Sequence, residues 1–92
     1  MSDSASATFL IVNTLGLHAR AATKLVQLAS KFACDVEVSR DGQVANAKSV
    51  MGVLLLASAK GTELHVAAKG PGARECVDAI GELIASRFGE PN

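Results

Sequence analysis

Asp35-Val36-Glu37-Val38-Ser39-Arg40-Asp41-Gly42-Gln43-Val44-Ala45-Asn46-Ala47 is the stretch on which the fold turns. Its first part, Asp35 to Ser39, alternates polar and apolar residues, as a strand buried on one face must. Asp41-Gly42 follows, a dipeptide that tolerates the positive φ angles of a tight hairpin turn, and Val44 to Ala47 return as a short second strand. Glu37 and Ser39 then face water while Val36 and Val38 face a core. A hairpin that is wet on one side needs a second layer on the other.

That second layer lies on both sides of the hairpin in the chain. Upstream, Thr8-Phe9-Leu10-Ile11-Val12 is a strand by its β-branched and aromatic content, and Asn13 to Leu17 form a loop that pivots on Gly16. From Ala19 onward, apolar residues recur at Ala22, Leu25, Val26, Ala29 and Phe32, with Lys24, Gln27 and Lys31 off the stripe, which predicts a helix. Downstream, Ser49 opens a short helical run from Val50 to Ala57. Gly61 precedes a strand whose Leu64, Val66 and Ala68 point one way and whose Glu63, His65 and Ala67 point the other. Gly70-Pro71-Gly72 ends it. A last helix carries Ala73, Cys76, Val77, Ile80, Leu83, Ile84 and Phe88 on one face and stops at Gly89, with Pro91 beyond. The order is β-α-β-β-α-β-α. It predicts an α+β fold, an open-faced β-sandwich of two layers, with one sheet covered on one face by two long helices. Glu37, Ser39, Glu63 and His65 fall on the open face.

At 92 residues the chain is one domain, assigned to residues 8–89 between a loose tail at 1–7 and a short tail at 90–92. Hydrophobic residues make up 49% but aromatics only 3%, so the core is built from Val, Leu, Ile and Ala. So small a domain leaves little volume for a deep substrate pocket, and function is expected on the surface. Lys+Arg and Asp+Glu balance at 9 and 9, which argues against nucleic acid as a partner. Cys34 and Cys76 show no disulfide or metal spacing and read as small core residues in a reducing cytoplasm. No metal or other cofactor is expected. The first residues lack a secretory pattern, and the apolar run from Val50 to Ala57 is far too short to enter a membrane as a span.

The chemistry gathers at Gly16-Leu17-His18-Ala19-Arg20, where the first strand and loop give way to a helix. The first N–H groups of a helix have no intrahelical partner and sit at the positive end of its dipole, so they form an anion site. They favour a lone pair facing them, which leaves a neutral imidazole able to attack phosphorus. No base or orienting acid stands at a recognisable spacing for a hydrolase triad. From the residues alone, His18 is either a polar cap on the helix or a phosphoryl acceptor, and the cap is the simpler reading. Ser49 likewise reads first as the N-cap of the short helix. The six apolar residues Val50, Met51, Val53, Leu54, Leu55 and Leu56 cannot all be buried by one small domain, so part of that helix is left for docking.

Asn13-Thr14-Leu15-Gly16-Leu17-His18-Ala19-Arg20-Ala21-Ala22 resembles the phosphorylation-site motif of the HPr family, the histidine phosphocarriers of the bacterial phosphotransferase system. Ala47-Lys48-Ser49-Val50-Met51-Gly52-Val53-Leu54 is similar to that family's regulatory-serine segment. The likeness runs from about Thr8 to Gly89 and implies a four-stranded antiparallel sheet in the order 1-4-2-3. It further implies that His18 accepts a phosphoryl group at Nδ1 from phospho-enzyme I and passes it to IIA-type acceptors. Arg20 would steady the phosphate, with the backbone N–H groups of Ala19 and Arg20 as its cradle. Leu17, Val50, Met51 and Leu54 would meet partners, and Ser49 would be open to an HPr kinase/phosphorylase. Such a chain is a cytoplasmic, monomeric carrier rather than an enzyme.

Two departures stand out. Ala21 replaces the proline usual after the arginine, which adds an N–H donor in the first turn. Leu15 leans toward the nitrogen-related branch, NPr. A regulatory NPr-type carrier, or an interaction module that kept the fold without the transfer, are the alternatives.

Overall fold

The computed structural model describes residues 3–92. Four strands and three helices follow one another as β1 (Ser4–Leu10), α1 (Ala19–Ala29), β2 (Asp35–Arg40), β3 (Gln43–Asn46), α2 (Val50–Leu55), β4 (Glu63–Lys69) and α3 (Ala73–Ala85), with a 3-10 turn at Arg87–Gly89. The sheet order is β1-β4-β2-β3, antiparallel throughout, as the resemblance implied.

The hairpin forms as its residues dictate. Asp41 and Gly42 take φ of 48° and 80°, the two positive angles of a type I′ turn, and Arg40 pairs with Gln43 across it. Val36 and Val38 of β2, with Leu64, Val66 and Ala68 of β4, are buried. Their alternate neighbours Glu37, Glu63 and His65 are exposed, and His65 Nδ1 lies 2.9 Å from Thr8 Oγ1 across that open face. On the covered face α1 buries Ala21, Ala22, Leu25 and Ala29, and α3 buries Cys76, Val77, Ile80 and Ile84. Each large aliphatic side chain taken from water contributes about 2 kcal/mol. The stripes at helical spacing are therefore what hold the two layers together. Gly81 of α3 leaves room for the Phe9 ring, whose Cε1 would lie 2.5 Å from a Cβ at that position.

Both tails depart from expectation. Ser4 to Ala7, assigned to a loose tail, are the first half of β1, in continuous register from Ser4 opposite Lys69 to Leu10 opposite Glu63. Met1 and Ser2 of that tail lie outside the described residues. Serine and alanine carry little strand preference of their own, and the pairing with β4 supplies what local composition lacks. The strand therefore starts and ends earlier than Thr8 to Val12, and Ile11 leaves it to become fully buried.

The other end differs as well. The last helix stops at Ala85 rather than Gly89. Arg87, Phe88 and Gly89 then take φ of 61°, 55° and 77°, a left-handed turn that seats Phe88 in the core with no exposure. Residues 90–92 are no free tail, because the Thr14 N–H donates to the Asn92 carbonyl at 3.1 Å. That turn brings the end of the chain back to the start of α1.

Candidate functional site

His18 is the N-cap of α1, in extended conformation at φ −75° and ψ 179°. Its Nδ1 accepts the Arg20 backbone N–H at 3.3 Å, so the expectation of a lone pair facing the helix start holds. The first helical bond is from the Ala22 N–H to the His18 carbonyl, at 2.8 Å. The N–H groups of Ala19, Arg20 and Ala21 are thus the unpartnered donors of the first turn as far as the helix ladder is concerned. The Arg20 side chain is exposed and makes no ion pair among the described residues.

The other face of the imidazole is held by a residue without a sequence signal. Glu90 Oε2 lies 2.5 Å from His18 Nε2. The partners select the tautomer: a donor faces Nδ1 and a carboxylate faces Nε2, so the proton sits on Nε2. Asn13, with no exposed surface, donates through Nδ2 to Glu90 Oε1 at 3.0 Å and to the Gly16 carbonyl at 2.8 Å. Lys24 Nζ donates to the Phe88 carbonyl at 2.5 Å and fixes the turn that presents Glu90. The hydrogen bond from His18, then that from Asn13, holds the Glu90 carboxyl below its ordinary range. Glu90 and Asn13 are the site residues that sequence reading missed. Asn13 belongs to the quoted motif, but Glu90 lies past a glycine in an assigned tail, where nothing local announces a partner for a distant histidine.

The loop that carries His18 is clamped to the segment leaving α2. The Leu17 N–H donates to the Ser58 carbonyl at 2.8 Å, and a Cβ on Gly16 would lie 2.5 Å from that same oxygen. With φ at 67°, Gly16 is a position only glycine fills without strain. α2 packs beside α1, and Arg40 Nη1 donates to the Leu56 and Ala57 carbonyls at its C-terminal end. Ser49 caps its start as expected, accepting the Gly52 N–H on Oγ at 3.1 Å.

The docking residues divide. Met51 is 67% exposed, and Val50 and Leu54 are half-buried. Leu17 does not join them. Its side chain is 5% exposed and packs in the core, because the loop turns it inward once its N–H is tied to Ser58. Leu15 and Leu55, at 68% and 74% exposure, are among the apolar residues that do face water. A hollow of about 350 Å³ opens between Leu15, His18, Arg20 and Pro91. A larger one, about 640 Å³, lies over Ser4, Glu37 and Lys69 on the open sheet face, away from the groups that converge on His18. No cluster of residues fit to hold a metal occurs among the described residues, and no helix there is long and apolar enough to cross a membrane.

Comparison with known proteins agrees with the fold. The family model for the PTS HPr component phosphorylation site matches residues 5–86. The phosphocarrier protein HPr of Cupriavidus necator is 50% identical over 80 residues, which is 87% of this chain and 90% of the relative. HPr of Pseudomonas aeruginosa is 46% identical over 81 residues, again 87% of this chain and 90% of the relative. Among solved structures, HPr of Thermoanaerobacter tengcongensis superposes with a TM-score of 0.92 at 40% identity, covering 96% of this chain and 99% of that one. The chain belongs to the HPr family, the phosphocarrier proteins of the phosphotransferase system, which carry a phosphoryl group without being enzymes themselves.

Proposed function

We propose that His18 Nδ1 is the phosphoryl acceptor of this carrier, charged by phospho-enzyme I and discharged to IIA-type acceptors. The observation that carries the reading is the pair of partners on the ring: Nδ1 turned to the helix start, Nε2 to Glu90. In the transfer the Nδ1 lone pair forms the bond to phosphorus. The donor's bond to phosphorus breaks, and its electron pair returns to the donor. The Arg20 N–H, released from Nδ1, turns to a phosphoryl oxygen together with the Ala19 N–H, and the Arg20 guanidinium adds charge-assisted hydrogen bonds. Nε2 keeps its proton throughout. The positive charge that the ring gains is met by the Glu90 carboxylate, so no proton has to move during transfer.

Val50, Met51 and Leu54, joined by Leu15 and Leu55, form the surface that partners meet in turn. Ser49 is a second modification site, open to an HPr kinase/phosphorylase. A phosphate there is favoured by the α2 N–H groups and adds negative charge beside the docking surface. The carrier works as a cytoplasmic monomer. Incubation with enzyme I and labelled phosphoenolpyruvate tests the reading: one acid-labile phosphoryl group is expected, lost in His18→Ala and retained in Ser49→Ala. Label retained in His18→Ala would overturn it.

A further inference from the structure

Arg40 ends β2 beside the hairpin turn, yet its side chain leaves the hairpin and reaches across to α2. Nη1 donates to the Leu56 carbonyl at 2.9 Å and to the Ala57 carbonyl at 3.2 Å, and Nη2 donates to Asp41 Oδ2 at 3.0 Å. Carbonyls at a helix end lack intrahelical partners and carry the negative end of its dipole, so a guanidinium suits them. Nε of the same group is buried and meets no acceptor among the described residues, a cost that the Nη1 bonds offset.

What those bonds hold is a strained residue. Ala57 takes φ of 50°, the left-handed conformation that often follows a helix end and usually falls to glycine. The strained turn delivers the next residue to the His18 loop. Ser58 is buried, and its carbonyl accepts the Leu17 N–H at 2.8 Å. That oxygen also lies against Gly16, where a Cβ would come within 2.5 Å of it. The guanidinium therefore stands a few short steps from the imidazole: it fixes Ala57, Ala57 aims Ser58, and Ser58 aims the loop that ends in the His18 cap.

We infer that Arg40 is a positioning residue for phosphoryl transfer, a latch that couples the end of α2 to the loop carrying His18. The inference rests on His18 as the acceptor. Arg40 touches no reacting atom and acts only through the turn at Ala57 and Ser58. The start of α2 does not depend on it, since Ser49 caps that end and Val53 is buried. Without the latch, Val50, Met51 and Leu54 stay in place to meet a partner while the loop loses its aim. A misaimed acceptor on an intact docking surface lowers kcat and leaves KM unchanged.

The test is Arg40→Met in the full chain, well below its melting temperature; methionine keeps an apolar stem and removes every donor. The kcat for transfer from phospho-enzyme I is expected to fall about tenfold at unchanged KM. In the unphosphorylated chain, exchange of the Leu17 amide hydrogen should quicken by a similar factor. Val66, buried in a strand that is paired on both sides, should keep its protection. Glycine takes the left-handed angle without help, so Ala57→Gly added to Arg40→Met should recover part of both losses. A kcat that stays at the wild-type value would overturn the inference. A rise in KM alone would do the same, making Arg40 a charge met by the partner. Exchange that quickens equally at Leu17 and Val66 would overturn it too, leaving Arg40 a contributor to stability alone. The exchange measurement needs no phosphate, and an acceptor other than His18 would show instead as label retained in His18→Ala.

Discussion

The starts of α1 and α2 are built alike and are suited to different work. Each opens on a capping residue in extended conformation, and each cap accepts a backbone N–H from the turn it begins, His18 from Arg20 and Ser49 from Gly52. At Ser49 that bond is the only one the side chain makes among the described residues. At His18 a second partner arrives from 72 residues away, the Glu90 carboxylate, steadied by Asn13 and by the Lys24 bond to Phe88. A cap alone fixes a helix. A cap whose far side is also held presents one chosen nitrogen to whatever binds at the helix start.

The comparison can be broken most sharply at the capping residues themselves. His18→Ala should remove all phosphoryl acceptance while the domain still folds, because a helix cap contributes about 1 kcal/mol. Ser49→Ala should cost a similar fraction of stability and leave acceptance intact. Thermal melting and labelling of both variants check the pair of outcomes. Ser49→Asp adds negative charge beside Val50 and Met51 and should raise the KM for phospho-enzyme I without unfolding the chain; an unchanged KM would leave Ser49 as a cap only.

Next in size is the loop that aims His18. Gly16→Ala places a Cβ against the Ser58 carbonyl at a left-handed φ, and should destabilise the fold by about 1–3 kcal/mol. Urea unfolding measures it, and transfer should fall along with the displaced loop.

Glu90→Gln keeps the shape but removes the charge facing Nε2, and should slow transfer about tenfold, the worth of one charge-assisted hydrogen bond. Glu90→Asp should recover part of that. The folded carboxyl is held below its unfolded value, so the bonds it makes stabilise the fold above the ordinary carboxylate range and are lost as pH falls through the lowered value. Denaturant titrations from neutral pH downward should show that acid-side loss in the wild type, and less of it in Glu90→Gln. The smallest effect is expected at Ala21. Ala21→Pro removes one first-turn N–H and should change the hydrolysis rate of the phosphorylated chain by a few-fold at most. No change at all would mean that this donor does not face the phosphate.

What could be read in advance follows the same division between local and distant causes. Asp41-Gly42 announces its turn because only a few residues accept two positive φ angles. Val36, Val38, Leu64 and Val66 announce their face because a strand alternates. His18 and Ser49 announce helix starts because capping is a local bond. Ser4 to Ala7 carry no such signal, since it is the partner strand that makes them β structure. Leu17 looks like a surface residue beside the motif histidine until the loop is tied to Ser58. Glu90 is the plainest case: a left-handed turn at Arg87 and Phe88, which local preference would not choose, is held by a buried ring and a lysine from another helix, and only then does its carboxylate reach the imidazole.

The most direct measurement is nitrogen-15 NMR of the His18 ring before and after phosphorylation by enzyme I. A proton on Nε2 in both states and phosphorus coupling on Nδ1 after transfer are expected. Phosphorus on Nε2, or a free ring with its proton on Nδ1, would contradict this assignment.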